Sequence, residues 1–293
     1  MRMRSLCRLF PKMGLLLLFL FLPSCFQPKK NNAHYKVNNK IDNTVDRRDN
    51  FEAAEGGSEF AARLAIVMRN AQLPQTISQK LQAASALNSA FMTDLLACLA
   101  EDRHLRELVD KQHPLPPDYV PSSLVTLAEG PYRVNRAGLM LRREAAESLG
   151  EMAAVARSGG VTLIASSAYR SYSYQEEVYN RNVREMGREA ADRESARPGC
   201  SQHQTGLALD FGSIDDSFAQ TAAGRWMTAN AARFGWSLSF PDGYEAVTGY
   251  RWESWHYRYV GRKLAAFIIN YFDGIQQYAL RFMYEWEQIA ASP

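Results

Sequence analysis

The chain has 293 residues, 46% of them apolar and 11% aromatic, which suits one good-sized folded domain with extensions and excludes a chain disordered throughout. Its formal charge of +3 is local in origin, because Arg2, Arg4, Arg8 and Lys12 fall within the first 24 residues, which hold no acid. Setting those four aside takes +3 to −1, so charge gives no case for a nucleic-acid partner.

The basic start leads into ten apolar residues, Met13 to Leu22, and then into Leu22-Pro23-Ser24-Cys25. A positive segment, a short apolar run and small residues read as a secretory signal over 1–24. The run is short for a membrane span, which needs about 20 residues. Its end resembles a bacterial lipobox, with Pro23 departing from the small residue usual there. Cys25 is then the expected lipidation site, and the mature chain is expected at the bacterial cell envelope, tethered to a membrane. A plainly cleaved signal and an uncleaved anchor are the alternatives. Residues 25–57 are polar, lack sustained periodicity and read as a flexible tether.

Residues 58–104 read as a helical leader. Leu64, Val67, Met68 and Ala71 share a face, Pro74 interrupts, and Leu81, Ala84, Leu87, Phe91, Leu95, Cys98 and Leu99 resume the pattern. His104 is expected to be solvated and His113 structural. Residues 113–127 are proline-rich and extended. Residues 139–158 read as an amphipathic helix stopped by Gly159-Gly160. VTLIASSAYRS reads as a strand with a polar end. Ser173 is the expected N-cap of a helix over SYQEEVYNRNVREMGREAA, with Glu176 in capping-box spacing. A loop leads to residue 205. LALDFG is a strand, 216–233 a helix, FGWSLSF a turn into a strand, PDGYEAVTGYRWES a loop and WHYRYV a strand. Lys263 to Ala291 reads as one long amphipathic helix. Without strict βαβ alternation or a glycine-rich phosphate loop, the fold class is α+β, a small, mostly antiparallel sheet flanked by helices.

Two stretches carry chemistry, SQHQTGLALDFG (201–212) and ESWHYRYVG (253–261). Gly206 permits a tight path after His203, so that the histidine can return over Asp210. Glu253 and His256 are three apart and can face one volume. Two histidines and a carboxylate suit zinc with an open fourth position, and a second carboxylate nearby suits a general base. By residue pattern alone, a hydrogen-bonded core aspartate with two buried histidines remains open as the alternative. Non-haem iron is disfavoured because the close His-x-Asp spacing is missing. Cys98 and Cys200 could pair outside the cytoplasm or stand as buried thiols.

SQHQTGLALD resembles the S-x-H-x-x-G-x-A-x-D signature of the VanY-type D-alanyl-D-alanine carboxypeptidases, zinc metallopeptidases that share a fold with the Hedgehog signalling domain. ESWHYRYVG resembles their E-x-W-H-x-R-Y-V-G, and SAYRSYSYQ (167–175) their S-x-Y-R-S-Y-x-x-Q. The segment LVDKQHPLPPDYVPSSLV resembles the start of these domains. The resemblance covers about residues 105–265 and leaves 266–293 as a C-terminal helix. It implies one Zn2+ per chain held by His203, Asp210 and His256, with Glu253 as base and then acid. Arg170 would stabilise the oxyanion, and Gln175 and Ser201 would bind the substrate's terminal carboxylate. Tyr169, Trp255 and Tyr257 are expected to pack, and Arg258 to be structural. The implied substrate is the peptidoglycan stem peptide, cut at its last D-alanine. An L,D-carboxypeptidase, an endopeptidase and a non-catalytic zinc module that binds cell wall are the alternatives. Cys200 stands where relatives often carry tyrosine or another residue, three positions before His203.

Overall fold

A computed structural model describes residues 57–87 and 89–291. The expected signal sequence, Cys25 and the tether up to residue 56 lie outside them. Three helices come first: α1 (Gly57–Asn70), α2 (Gln75–Leu87) and α3 (Ser89–Leu99). After a 3-10 turn at Arg103–Arg106 come the short strands β1 (Leu124–Thr126), β2 (Arg133–Val134) and β3 (Met140–Arg142). Helix α4 (Arg143–Ser158), strand β4 (Ile164–Ser167), α5 (Tyr172–Met186) and α6 (Arg188–Glu194) follow, then β5 (Ala208–Phe211) and α7 (Ala222–Asn230). The chain ends with β6 (Trp236–Leu238), α8 (Glu245–Thr248), β7 (His256–Tyr259), α9 (Arg262–Tyr271) and α10 (Gln276–Ala291).

The main sheet has the order β2-β4-β5-β7-β6, and only β2–β4 is parallel. Strands β1 and β3 form a separate antiparallel pair. The fold is thus α+β with a mostly antiparallel sheet, as the sequence predicts. Alternation along a strand divides the sheet's two faces. Leu209, Phe211, Trp236 and Tyr257 enter a core with Leu149, Met152 and Ala153 of α4. Asp210 and His256, one residue out of step, take the opposite face.

A second core lies in the helices. Leu64, Val67, Leu81, Phe91 and Leu95 of α1–α3 pack with Phe267 of α9, Phe272 after it, and Phe282 and Trp286 of α10. Phe91 stacks on Phe267 at 5.7 Å, and the Arg63 guanidinium lies 4.1 Å over the Trp286 ring. The leader and the C-terminal helices therefore build one apolar layer. Among the described residues, no helix is long and apolar enough to cross a membrane.

Several local expectations are corrected. The N-cap of α5 is Ser171, not Ser173: Ser171 is extended and its side chain accepts from Tyr174 N at 3.2 Å. Gly187, with φ of 84°, divides the expected single helix into α5 and α6. The expected helix at 216–233 is a 3-10 turn, then α7 capped by Thr221 Oγ1, then a second 3-10 turn. The long C-terminal helix breaks at Asp273 and Gly274, both left-handed, and the reversal lets Phe272 meet Phe282 at 5.4 Å. His104 is not simply solvated, since its Nε2 lies 2.7 Å from Glu144 Oε1. Cys98 and Cys200 are buried free thiols, and burial pushes Cys98 up to about 12.

Gly206 lies between His203 and Asp210, where the backbone passes close to Leu124 and Pro121. Its φ is +71°, and a Cβ there would sit 2.9 Å from Leu124 Cδ2 and 3.1 Å from Pro121 Cγ. Gly206→Ala is expected to lower stability by about 1–3 kcal/mol. Urea unfolding checks this, and an unchanged midpoint would contradict it.

Candidate metal centre and cleft

Strand register assembles the site. Asp210 on β5 stands opposite His256 on β7, and Ser167 at the end of β4 stands opposite Asp210. Side chains at directly opposed positions share a face, so three strands aim at one volume. His203 arrives from a 3-10 turn, Gln202–Thr205, capped by Ser201, whose side chain accepts from His203 N at 3.3 Å. Gly206 ends that turn in the left-handed region and returns the chain to β5, which answers why a histidine and an aspartate seven apart can meet.

His203, Asp210 and His256 are each at most 5% exposed, and one ligand atom from each lies within 4.8 Å of the others. His203 Nε2 is 3.3 Å from Asp210 Oδ2, and His256 Nδ1 is 3.3 Å from Asp210 Oδ1. His203 Nδ1 lies 2.8 Å from the Ala168 carbonyl. That contact keeps the proton on Nδ1 and presents the Nε2 lone pair to the centre. Asp210 Oδ1 is buried and meets no hydrogen-bond donor beyond the His256 ring. Converging buried acceptors of this kind fit a cation, and the two-histidine, one-carboxylate donor set fits zinc with a position left open.

The electrostatics agree. Burial, helped by the neighbouring Arg170 charge, lowers His203 to about 4, so its imidazole is neutral and ready to ligate. Burial works to raise Asp210, but the two histidines outweigh it and hold the carboxyl well below its usual value. Burial alone would lower His256, yet hydrogen bonds and charge from Asp210 and Glu253 raise it to about 9. The two carboxylates thus call for positive charge between them.

Glu253 is 9% exposed, and its Oε2 lies 3.2 Å from His256 Nδ1. Its backbone N–H donates to Phe240 O, which fixes the turn ahead of β7. Arg170 follows β4 and enters from the other side. Its Nε donates to Ser167 Oγ at 3.1 Å and its Nη1 to Gln175 Oε1 at 3.1 Å. Its Nη2 reaches Asp210 Oδ2 and His203 Nε2, each at 3.0 Å. Gln175, expected at the substrate carboxylate, stands one layer behind. It is fully buried, and its Nε2 donates to Ala196 O at 2.7 Å. Both ends of the amide are bonded within the protein, the oxygen to Arg170 and the nitrogen to Ala196 O.

These groups open into a cleft of about 240 Å³. Arg170, Ser201, His203, Asp210, Glu253 and His256 all line it. Its walls include residues that sequence reasoning missed. Val178, Asn182 and Met186 line one side, and their i, i+4, i+8 spacing after Gln175 was the available signal. Arg251 spans the rim, paired with Glu194 at 2.5 Å and Asp216 at 2.7 Å over the Trp255 ring. Nothing local in the sequence announces that bridge. Cys200 lines the cleft but stands outside the ligand cluster. Arg258 is fully buried; it donates to Leu105 O at 3.3 Å, and burial pushes it down to about 10.

The VanY family profile, D-alanyl-D-alanine carboxypeptidase, matches residues 138–262. The chain is 35% identical over 195 residues to the putative carboxypeptidase YodJ of Bacillus subtilis (strain 168), covering 62% of this chain and 71% of that protein. The solved structure of the LdcB LD-carboxypeptidase is similar at a TM-score of 0.52 and 35% identity, covering 57% of this chain and 85% of its own. The vancomycin-resistance D,D-pentapeptidase VanY, solved as a variant in complex with Zn(II), is similar at a TM-score of 0.50 and 31% identity, covering 59% and 96%. The profile ends where α9 begins, so α1–α3 and almost all of α9 and α10 lie outside it.

Asp210→Asn keeps the side chain's shape and removes its charge. Zinc affinity is expected to fall at least about a hundredfold, read by competition with a chromophoric chelator. Undiminished affinity would remove Asp210 from the ligand set.

Proposed function

The chain belongs to the VanY family of D-alanyl-D-alanine carboxypeptidases, and we propose that it is a zinc-dependent D,D-carboxypeptidase that removes the terminal D-alanine of peptidoglycan stem peptides. The observation that carries this reading is the convergence of His203, Asp210 and His256 on one point, with Glu253 beside it and Arg170 across from it. A zinc ion held there supplies Lewis acidity, which polarises a carbonyl and acidifies water. Glu253 takes the proton from the attacking water and delivers it to the leaving amine. Its place 3.2 Å from His256 Nδ1 keeps it within reach of the open position. Arg170 faces the carbonyl oxygen as negative charge develops there. Ser167 and Gln175 fix its guanidinium beforehand, so little reorganisation is needed during reaction. Ser201 accepts one bond from His203 N and retains its hydroxyl proton for the substrate's terminal carboxylate.

A non-catalytic zinc module would give no reason for a carboxylate and a guanidinium to flank the ligands. The likeness to the LdcB LD-carboxypeptidase favours one second reading, in which the same machinery cuts the tetrapeptide stem. The basic, apolar start and the lipobox-like stretch ending at Cys25 support an exported enzyme tethered by lipid at the cell envelope.

The test is product analysis by mass spectrometry, with zinc-loaded protein offered pentapeptide and tetrapeptide stems, with and without a chelator. Chelator-sensitive loss of one alanine from the pentapeptide is the expected result. Loss from the tetrapeptide alone would move the specificity to L,D, and no cleavage of either would overturn the carboxypeptidase reading. In the same assay Glu253→Ala is expected to retain zinc while turnover drops about a thousandfold or more; near-normal turnover would remove Glu253 as the base.

A further inference from the structure

Two glutamines open α10, and both are buried, Gln276 at 1% exposure and Gln277 at 3%. A buried amide is costly unless its donors and acceptor are bonded, so the partners show what each is for. Gln277 Nε2 donates to Asp110 Oδ2 at 2.7 Å. Asp110 in turn caps the backbone of Gln112 and His113. Gln277 therefore ties α10 to the segment that follows the leader.

Gln276 reaches elsewhere. Its Oε1 accepts from Gln202 Nε2 at 3.2 Å with Ser239 Oγ 3.4 Å away, and its Nε2 donates to Ser237 O at 3.2 Å. Ser239 Oγ donates its proton to Gln202 Oε1 at 2.7 Å. Gln202 immediately precedes His203, and the Ser239 backbone N–H donates to His256 O. One closed knot of three buried side chains thus touches the backbone beside both histidines. A polar network with its members satisfied holds a single geometry, because any shift strands a buried group.

We propose that Gln276 is a positioning residue for the metal centre: through Gln202 and Ser239 it holds the His203 turn and the His256 strand in register. The helical layer, which lies outside the residues matched by the family profile, is then part of the metal site's support. This inference rests on the zinc reading proposed above. It also distinguishes two neighbouring residues that a merely structural role would treat alike.

The experiment is the rate of zinc release from the loaded full-length protein into excess chelator, comparing wild type with Gln276→Met, Gln277→Met and Ser239→Ala. Each variant's folding is checked by circular dichroism and urea unfolding. Gln276→Met is expected to release zinc about tenfold faster, with Ser239→Ala moving the same way. Gln277→Met is expected to match wild type in release even where it costs comparable stability. Should Gln276→Met fail to fold, Ser239→Ala against Gln277→Met decides, because Ser239 lies in the sheet region and outside the helix. Equal release from all the folded proteins would overturn the positioning role, as would equal acceleration by Gln276→Met and Gln277→Met. A wild type that binds no zinc would overturn the zinc reading itself, a separate outcome.

Discussion

Asp210 and His256 face each other across one antiparallel strand pair, and the geometry of the cleft depends on that register. Strand side chains alternate, so a slip of one residue would turn both from the cleft into the apolar core. The core resists such a slip. Leu209 and Tyr257, the adjacent opposed pair, belong to the buried cluster around α4, and moving them into the cleft would expose large apolar area. The same packing that stabilises the sheet thereby fixes the spacing of two ligand candidates. Ser167, opposite Asp210 on the other side, extends the alignment to Arg170.

The third candidate ligand does not come from the sheet, and its placement needs more support. His203 sits on a short 3-10 turn with Ser201 at one end and left-handed Gly206 at the other. Its ring is held by Ala168 O, and its backbone carbonyl accepts from Arg170 N at 3.4 Å. Gln202 is gripped from the helical layer. The geometry of a turn is only as exact as the contacts around it, and here they come from the segment just after β4, from the cap and from α10.

Much of this site was legible because its parts are local. A turn glycine after His203, a strand carrying Asp210, and the Glu253–His256 spacing are short-range features with few ways to fold. Helix periodicity was legible for the same reason in α1–α4. Other features depended on distant partners. Ser171 and Ser173 are both plausible caps, and only the exit path of β4 decides between them. Asp273-Gly274 reads as a minor flaw in an amphipathic pattern until Phe272 and Phe282 are seen to meet. Gln175 was identified by motif, but a motif gives residue type and not the direction of an amide, whose oxygen here accepts from Arg170. Gln276 carries no local signal at all, since a polar residue at the start of an amphipathic helix is usually solvated.

The central claim is that His203, Asp210 and His256 together hold one metal ion while Glu253 stands free beside it. Anomalous diffraction at the zinc edge from crystals of the zinc-loaded protein tests this most directly. The account predicts a single strong peak about 2.0–2.2 Å from His203 Nε2, an Asp210 oxygen and His256 Nδ1, with Glu253 not ligating. A peak ligated by Glu253 or Cys200, or no peak among the three residues, would contradict it.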